Sequence, residues 1–292
     1  NILPGVAVEN GEGNRVLLIT SCRRQGVAYP DRGGAYQCFD QAGVTRAMTK
    51  WSGAVPSFER LAEFFRRALR TAWSGRPGVV HLDVPETVIN GQFDDAGVQY
   101  LPPRSYRRVD PIEAPPAQVA RVAELLRTAK RPLVHAGSGI AHANASAFLK
   151  DLSELIGAPV TTSWSGRGAP ADAHDLLLPV WAMAPVNRAR GEADLVLVLG
   201  SRLGETDWWG KPPYWGAAGE QKLVQVDIDE ASLGLNRAAD LAILADLRTF
   251  LQALTKELRE HPLEASTLAA RRAHAATIKT EVARIRVDLD AA

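Results

Sequence analysis

Residues 132–139 read Pro-Leu-Val-His-Ala-Gly-Ser-Gly, a short apolar run that ends in two glycines around a serine. Residues 194–202 repeat the form as Asp-Leu-Val-Leu-Val-Leu-Gly-Ser-Arg, and residues 223–229 as Leu-Val-Gln-Val-Asp-Ile-Asp. Short apolar runs bounded by turn residues predict strands buried on both faces of a parallel sheet. Helices are expected between them, over 118–128 and 144–156, with Asn144 as N-cap and Gly157 just past the C-terminus. A further strand is expected over 159–162, and a helix over 247–258. Strands alternating with helices predict an open, doubly wound α/β sheet, Rossmann-like in layout. In such sheets a ligand lies beyond the carboxyl ends of the strands, where the strand order reverses.

Those ends carry the candidate binding residues. Gly137, Ser138 and Gly139 either let the backbone approach a phosphate or make a tight strand-to-helix turn. The third glycine of a dinucleotide fingerprint is missing, since position 142 is His142. Gly200 and Ser201 resemble that turn, and Arg202 is either a planar fork for a phosphate or a surface arginine. Asp227 and Asp229 either accept from ribose hydroxyls or cap the turn after them. Taken together on one sheet edge, the three groups point to a nucleotide-shaped ligand. Trp208, Trp209, Tyr214 and Trp215, with Pro212 and Pro213 between them, either wall a pocket, meet a partner or fill the core. His81 and His135 sit inside strands and read as satisfied core histidines; no metal site stands out.

Upstream, strands are expected over 15–20 and 79–83, with a helix over 57–73 between them. Its apolar stripe is Leu61, Phe64, Phe65, Ala68, Leu69 and Ala72, which leaves Arg66, Arg67 and Arg70 mostly in solvent. Prolines at 102, 103, 111, 115 and 116 mark a linker, so the expected organisation is 1–97, a linker over 98–116, a second domain over 117–258, and a helical connection over 259–292.

The chain has 292 residues, 46% apolar and 23% charged, ordinary globular usage that excludes a disordered or collagenous chain. Lys and Arg number 34 against 33 acids, and the net charge of +1 offers no attraction for nucleic acid or an anionic membrane. The two cysteines, Cys22 and Cys38, make no disulfide framework, and a reducing, cytoplasmic setting is expected. No apolar run reaches membrane-spanning length.

The order of segments resembles the thiamine-diphosphate-dependent enzymes of the acetolactate synthase and oxalyl-CoA decarboxylase group. Residues 1–7 followed by 15–21 are similar to the middle of that family's pyrimidine-binding domain. Residues 36–40 (Tyr-Gln-Cys-Phe-Asp), 43–46 (Gly-Val-Thr-Arg) and 49–51 (Thr-Lys-Trp) resemble three linked motifs of the same domain. Residues 74–85, Ser-Gly-Arg-Pro-Gly-Val-Val-His-Leu-Asp-Val-Pro, resemble another. Residues 131–139, 224–236 and 244–247 follow the family's central domain, which adds Asp246 to the cofactor-binding candidates.

The resemblance implies part of a pyrimidine-binding α/β domain followed by a whole central domain. The implied cofactors are thiamine diphosphate and Mg²⁺, with ADP or FAD on the central domain. The implied reaction is decarboxylation or carboligation of a 2-keto acid or an acyl-CoA. The implied assembly is a homo-oligomer, a dimer or tetramer. Gln37 is carried over as a substrate-channel amide, Lys50 as a second catalytic candidate, and Arg46 as a contact to cofactor phosphates. Pro56 stands where acetolactate synthases commonly have a lysine. Residues 179–182, Pro-Val-Trp-Ala, replace the glycine-bearing segment that embraces a flavin, and Trp181 would crowd FAD. An ADP-like nucleotide or an empty site is expected as readily. The family's activating glutamate and its Gly-Asp-Gly…Asn magnesium motif do not occur in these residues, so the expectation is that the chain alone is inactive. Two alternatives are a non-catalytic nucleotide-binding module and a degenerate scaffold subunit.

Overall fold

The computed structural model describes residues 1–24, 26–27, 33, 36–170 and 174–290. They divide into two units, residues 1–110 and 111–292.

In the first unit, helix α1 (Leu3–Glu12) leads into strand β1 (Leu17–Cys22). Helix α2 (Gln41–Arg46), strand β2 (Trp51–Ala54), helix α3 (Phe58–Trp73), strand β3 (Val80–Pro85) and helix α4 (Glu86–Ile89) follow. The three strands form a parallel sheet in the order β1-β3-β2. Because β3 is central, all six of its residues are buried, polar ones included. Its Val80, Leu82 and Val84 join Val55 and Val88 and the Ala68 and Ala72 stripe of α3 in one core. Strand β1 starts two residues later than the 15–20 expected, since pairing opens at Leu17 with Val80, while Arg15 lies against the Trp73 ring.

In the second unit the elements are α5 (Pro116–Thr128), β4 (Pro132–Ala136), α6 (Gly139–His142), α7 (Ser146–Ile156) and β5 (Val160–Thr162). Then come α8 (Met183–Glu192), β6 (Leu195–Leu199), β7 (Lys222–Asp227), β8 (Leu241–Leu244), α9 (Leu247–Glu260) and α10 (Ala265–Asp290). All five strands are parallel, in the order β5-β4-β6-β7-β8. The order reverses between β4 and β6, which places the switch point where the Gly-Ser-Gly and Gly-Ser-Arg turns emerge. The fold is therefore the doubly wound α/β sheet expected.

The two faces of this sheet are built from alternate residues of the same strands. Val134, Leu195, Leu197, Val224 and Ile243 pack under α5, α7 and α9 with Leu126, Leu152 and Phe250. Leu133, Val196, Val198 and Leu223 face the other way, with Val186 of α8, Trp215 and Ile278 of α10. Asn144 does not cap α7: Ala145 holds the N-cap position, and Asn144 sits at φ 50° after α6. A one-turn helix after Gly139 consumes the residues between strand and α7, and Asn tolerates the left-handed joint that results. Gly157 does end α7 in the left-handed region, at φ 64°.

Residues 259–292, read from sequence as a connection, include α10, which packs on the second unit. Arg271, Ala275, Ile278 and Val282 form its buried stripe. The Arg271 guanidinium donates to the carbonyls of Ile156 at 2.9 Å and of Leu126 and Ala129 at 2.6 Å each. These are orphan carbonyls at the ends of α7 and α5, so the arginine satisfies two helix termini at once.

Candidate functional site

At the switch point the glycines meet each other. The Gly137 N–H donates to Leu199 O at 2.9 Å and the Gly139 N–H to Gly200 O at 3.1 Å. The Gly200 N–H reaches Val226 O at 2.9 Å, with Gly200 at φ 60°. A Cβ on Gly137 would overlap the Gly200 carbonyl oxygen, and one on Gly139 would lie 2.7 Å from Gly200 Cα. The expected phosphate-approach glycines thus join two loops, and their N–H groups are spent between strands. Gly137→Ala is expected to cost about 2 kcal/mol, because the obstacle is backbone and cannot rotate away. A denaturant midpoint equal to the parent's would refute this.

The remaining strand-end candidates differ in burial and in the partners they hold. Ser201 is buried, and its hydroxyl accepts from Leu203 N at 3.1 Å and lies 3.4 Å from Asp207 Oδ2. Asp227 is buried, with Oδ1 accepting the Asp229 N–H at 3.0 Å. Asp246 caps α9, its Oδ1 accepting from Arg248 N at 2.9 Å and Thr249 N at 3.3 Å. Ser138 and Asp229 are half-buried and Arg202 is exposed, so all three are solvent-accessible at the sheet edge, with Asp229 Oδ2 accepting from Ser232 Oγ at 3.4 Å.

Behind that edge lies a buried charge network that sequence reasoning did not assemble. His135 of β4 places Nδ1 3.1 Å from Thr161 Oγ1 and Nε2 3.2 Å from Asp207 Oδ2. Arg190 of α8 lies 3.4 Å from Asp207 Oδ1 and 4.7 Å from the centre of the Trp215 ring. The Trp215 indole N–H donates to Asp207 O at 2.7 Å. Burial pushes the Asp207 carboxyl up, but His135, Arg190 and the Ser201 hydroxyl outweigh it and hold the group below the usual carboxylate range. Burial lowers the Arg190 guanidinium from its ordinary value, partly restored by Asp207. The aromatic loop is anchored here. Trp215 is in the core, Trp208 stacks on Tyr214 at 4.3 Å, and Trp209 remains exposed. Trp208 and Trp209 take φ 53° and 52°, which side chains rarely adopt and which the anchored loop imposes.

In the first unit, Gln37 is exposed at φ 53°, and its carbonyl accepts from Arg23 N at 3.3 Å. Arg46 is the exposed last residue of α2, whose start is capped by Asp40. The Lys50 ammonium donates to Ser74 O at 2.5 Å and Arg76 O at 2.8 Å, so it braces the loop before β3. None of these three contacts another in the described residues.

The buried polar cluster of this unit instead surrounds His81. Its Nε2 lies 2.7 Å from Thr20 Oγ1, and its Nδ1 lies 2.7 Å from Thr45 Oγ1 and 2.9 Å from Ser52 Oγ. Asp83, two residues along the same face, accepts from Thr20 Oγ1 at 2.9 Å. The alternation His-Leu-Asp within a buried strand was the only sequence signal for it. Burial lowers the His81 pKa, with Asp83 opposing. The unfolded chain therefore binds this proton more tightly than the folded one, and stability is complete above the ordinary histidine value and declines as pH falls below it. The first unit is expected to unfold at lower denaturant at pH 5 than at pH 7.5, and His81→Asn to flatten that difference. An unchanged slope in the variant would exclude His81 as the cause.

Among the described residues no three His, Cys, Asp or Glu come together to hold a metal, and no helix is long and apolar enough to cross a membrane. The model of the thiamine pyrophosphate enzyme central domain matches residues 119–254, which contain the whole five-stranded sheet. The chain is 32% identical over 269 residues to an acetolactate synthase of Mycobacterium bovis, covering 89% of this chain and 41% of that protein. It is 30% identical over 250 residues to a 2-hydroxyacyl-CoA lyase of Arabidopsis thaliana, covering 85% and 42%. It is 30% identical over 234 residues to human 2-hydroxyacyl-CoA lyase 1, covering 78% and 38%. The chain thus spans about two fifths of the length of these curated relatives. With the switch-point sheet inside the matched stretch and the likeness extending along most of the chain, residues 119–254 are a central domain of the thiamine pyrophosphate enzyme family.

Proposed function

We propose that this chain serves a thiamine-diphosphate-dependent decarboxylase or carboligase that acts on a 2-keto acid or an acyl-CoA. The observation that carries this reading is the likeness to both acetolactate synthases and 2-hydroxyacyl-CoA lyases over most of the chain. The described residues do not build a magnesium–diphosphate cradle, since no cluster of metal-ligating side chains occurs among them. What they supply under this reading is the central sheet and the exposed Gln37 and Arg46. The proposed setting is cytoplasmic, and the proposed assembly a homo-oligomer.

At the central sheet edge an ADP-like nucleotide is the second part of the proposal. Ser138, Arg202 and Asp229 are the solvent-accessible side chains that would meet it. The open reading frame that contains this chain is to be expressed whole and supplied with thiamine diphosphate and Mg²⁺. Pyruvate consumption and 2-hydroxyacyl-CoA cleavage are then assayed separately. Turnover of either supports the reading and names the substrate class, whereas a folded protein inert to both overturns it. Calorimetric titration with ADP and FAD tests the nucleotide, and Arg202→Gln is expected to weaken ADP binding about tenfold.

A further inference from the structure

We propose that Arg15, Arg107 and Trp73 of the first unit form a binding site for a doubly charged phosphate group. The Arg15 guanidinium lies 5.3 Å from the centre of the Trp73 ring, and that of Arg107 lies 4.9 Å from it. Two like charges therefore share one indole, which is 40% exposed at the C-terminal end of α3. Arg70, three residues earlier on α3, donates to Tyr106 O at 3.5 Å and adds a third guanidinium beside the segment that carries Arg107. Among the described residues neither Arg15 nor Arg107 has a carboxylate partner. The charge felt by Arg15 is that of Arg107, and burial together with this repulsion makes its proton easier to lose.

A cation set over an aromatic ring is held through its charge, not through its hydrogen bonds. The N–H forks therefore keep donors for an oxyanion. Arg107 spends one, at 3.1 Å, on the carbonyl of Arg108. Each planar fork matches two oxygens of a phosphate. A carboxylate would neutralise one of the two charges and leave the other repelled. A phosphate monoester or a diphosphate neutralises both. The C-terminal end of α3 supplies only a partial negative charge, enough to tolerate the arginines but not to satisfy them.

The probe is inorganic pyrophosphate, titrated into the 292-residue chain by calorimetry at low ionic strength, with tryptophan emission followed in parallel. Saturable one-to-one binding with a change in emission is expected. Arg15→Gln and Arg107→Gln are each expected to weaken it about tenfold or more. Arg60→Gln, whose parent side chain pairs with Glu63 at 2.6 Å further along α3, is expected to bind as the parent does. If Arg15→Gln does not fold by circular dichroism, Arg15→Lys keeps the charge without the fork and is expected to weaken binding too. The assignment is overturned by the absence of saturable binding, or by acetate competing as well as pyrophosphate at equal ionic strength. It is equally overturned if both Gln variants bind as the parent, or if Arg202→Gln alone abolishes binding, which would place the anion at the central sheet.

Discussion

Asp207→Ala is expected to lower the unfolding free energy of the second unit by about 4 kcal/mol, the cost of stranding a buried charge. The side chain lies within 3.4 Å of both His135 and Arg190, and Arg190 is itself buried. Alanine leaves that guanidinium with no carboxylate, only the Thr162 carbonyl 3.4 Å away and the Trp215 ring. The Asp207 main-chain bond to Trp215 survives the substitution, so the loss belongs to the carboxylate. Removing both charges with Arg190→Met and Asp207→Asn is expected to cost less than Asp207→Ala alone, because no ion is left unpaired. The parent's carboxyl is held below its ordinary value, so its contribution is present above the unfolded pKa of about 3.9 and lost as pH falls through the lower folded value. The single variant should therefore lose part of the parent's acid sensitivity. Denaturant unfolding measures all three, and a single-variant loss below about 1 kcal/mol would place the pair among weak surface bridges.

Arg271→Ala is expected to cost about 3 kcal/mol and to release α10 from the second unit. Its guanidinium serves the carbonyls of Ile156, Leu126 and Ala129, with that of Arg127 further off at 3.4 Å, and the first three lose a charged donor in a buried setting. Arg271→Lys keeps the charge but cannot reach three acceptors with a planar fork, so it should recover only part of the loss. Hydrogen exchange across 265–282 reports docking directly. Amides as protected in Arg271→Ala as in the parent would show that Ala275, Ile278 and Val282 hold the helix unaided.

The long elements of this fold were legible because their signals are local. The apolar runs at 132–136 and 194–199 fix buried parallel strands, and the stripe in 57–73 fixes α3. The short strands β2 and β8 were not legible. Each has four residues and pairs along one edge of a longer neighbour, β2 with β3 and β8 with β7. Helix α10 read as a connection because its buried stripe is narrow and includes an arginine. The carbonyls that its Arg271 serves lie more than a hundred positions upstream.

The sequence by itself determined the α/β class, the alternation of elements, the strand ends at which polar residues gather, and the family likeness. These follow from runs of a few residues, each read without knowing its neighbours in space. Only the tertiary structure decided the strand order, and with it that Gly137, Gly139 and Gly200 pack on one another. It also decided that Asp227 and Asp246 bind local backbone while Ser138, Arg202 and Asp229 keep solvent access. The His135–Asp207–Arg190 network and the Arg15–Trp73–Arg107 cluster join residues 17 to 92 positions apart along the chain. Chain folding sets such encounters, and no local pattern in the sequence encodes them.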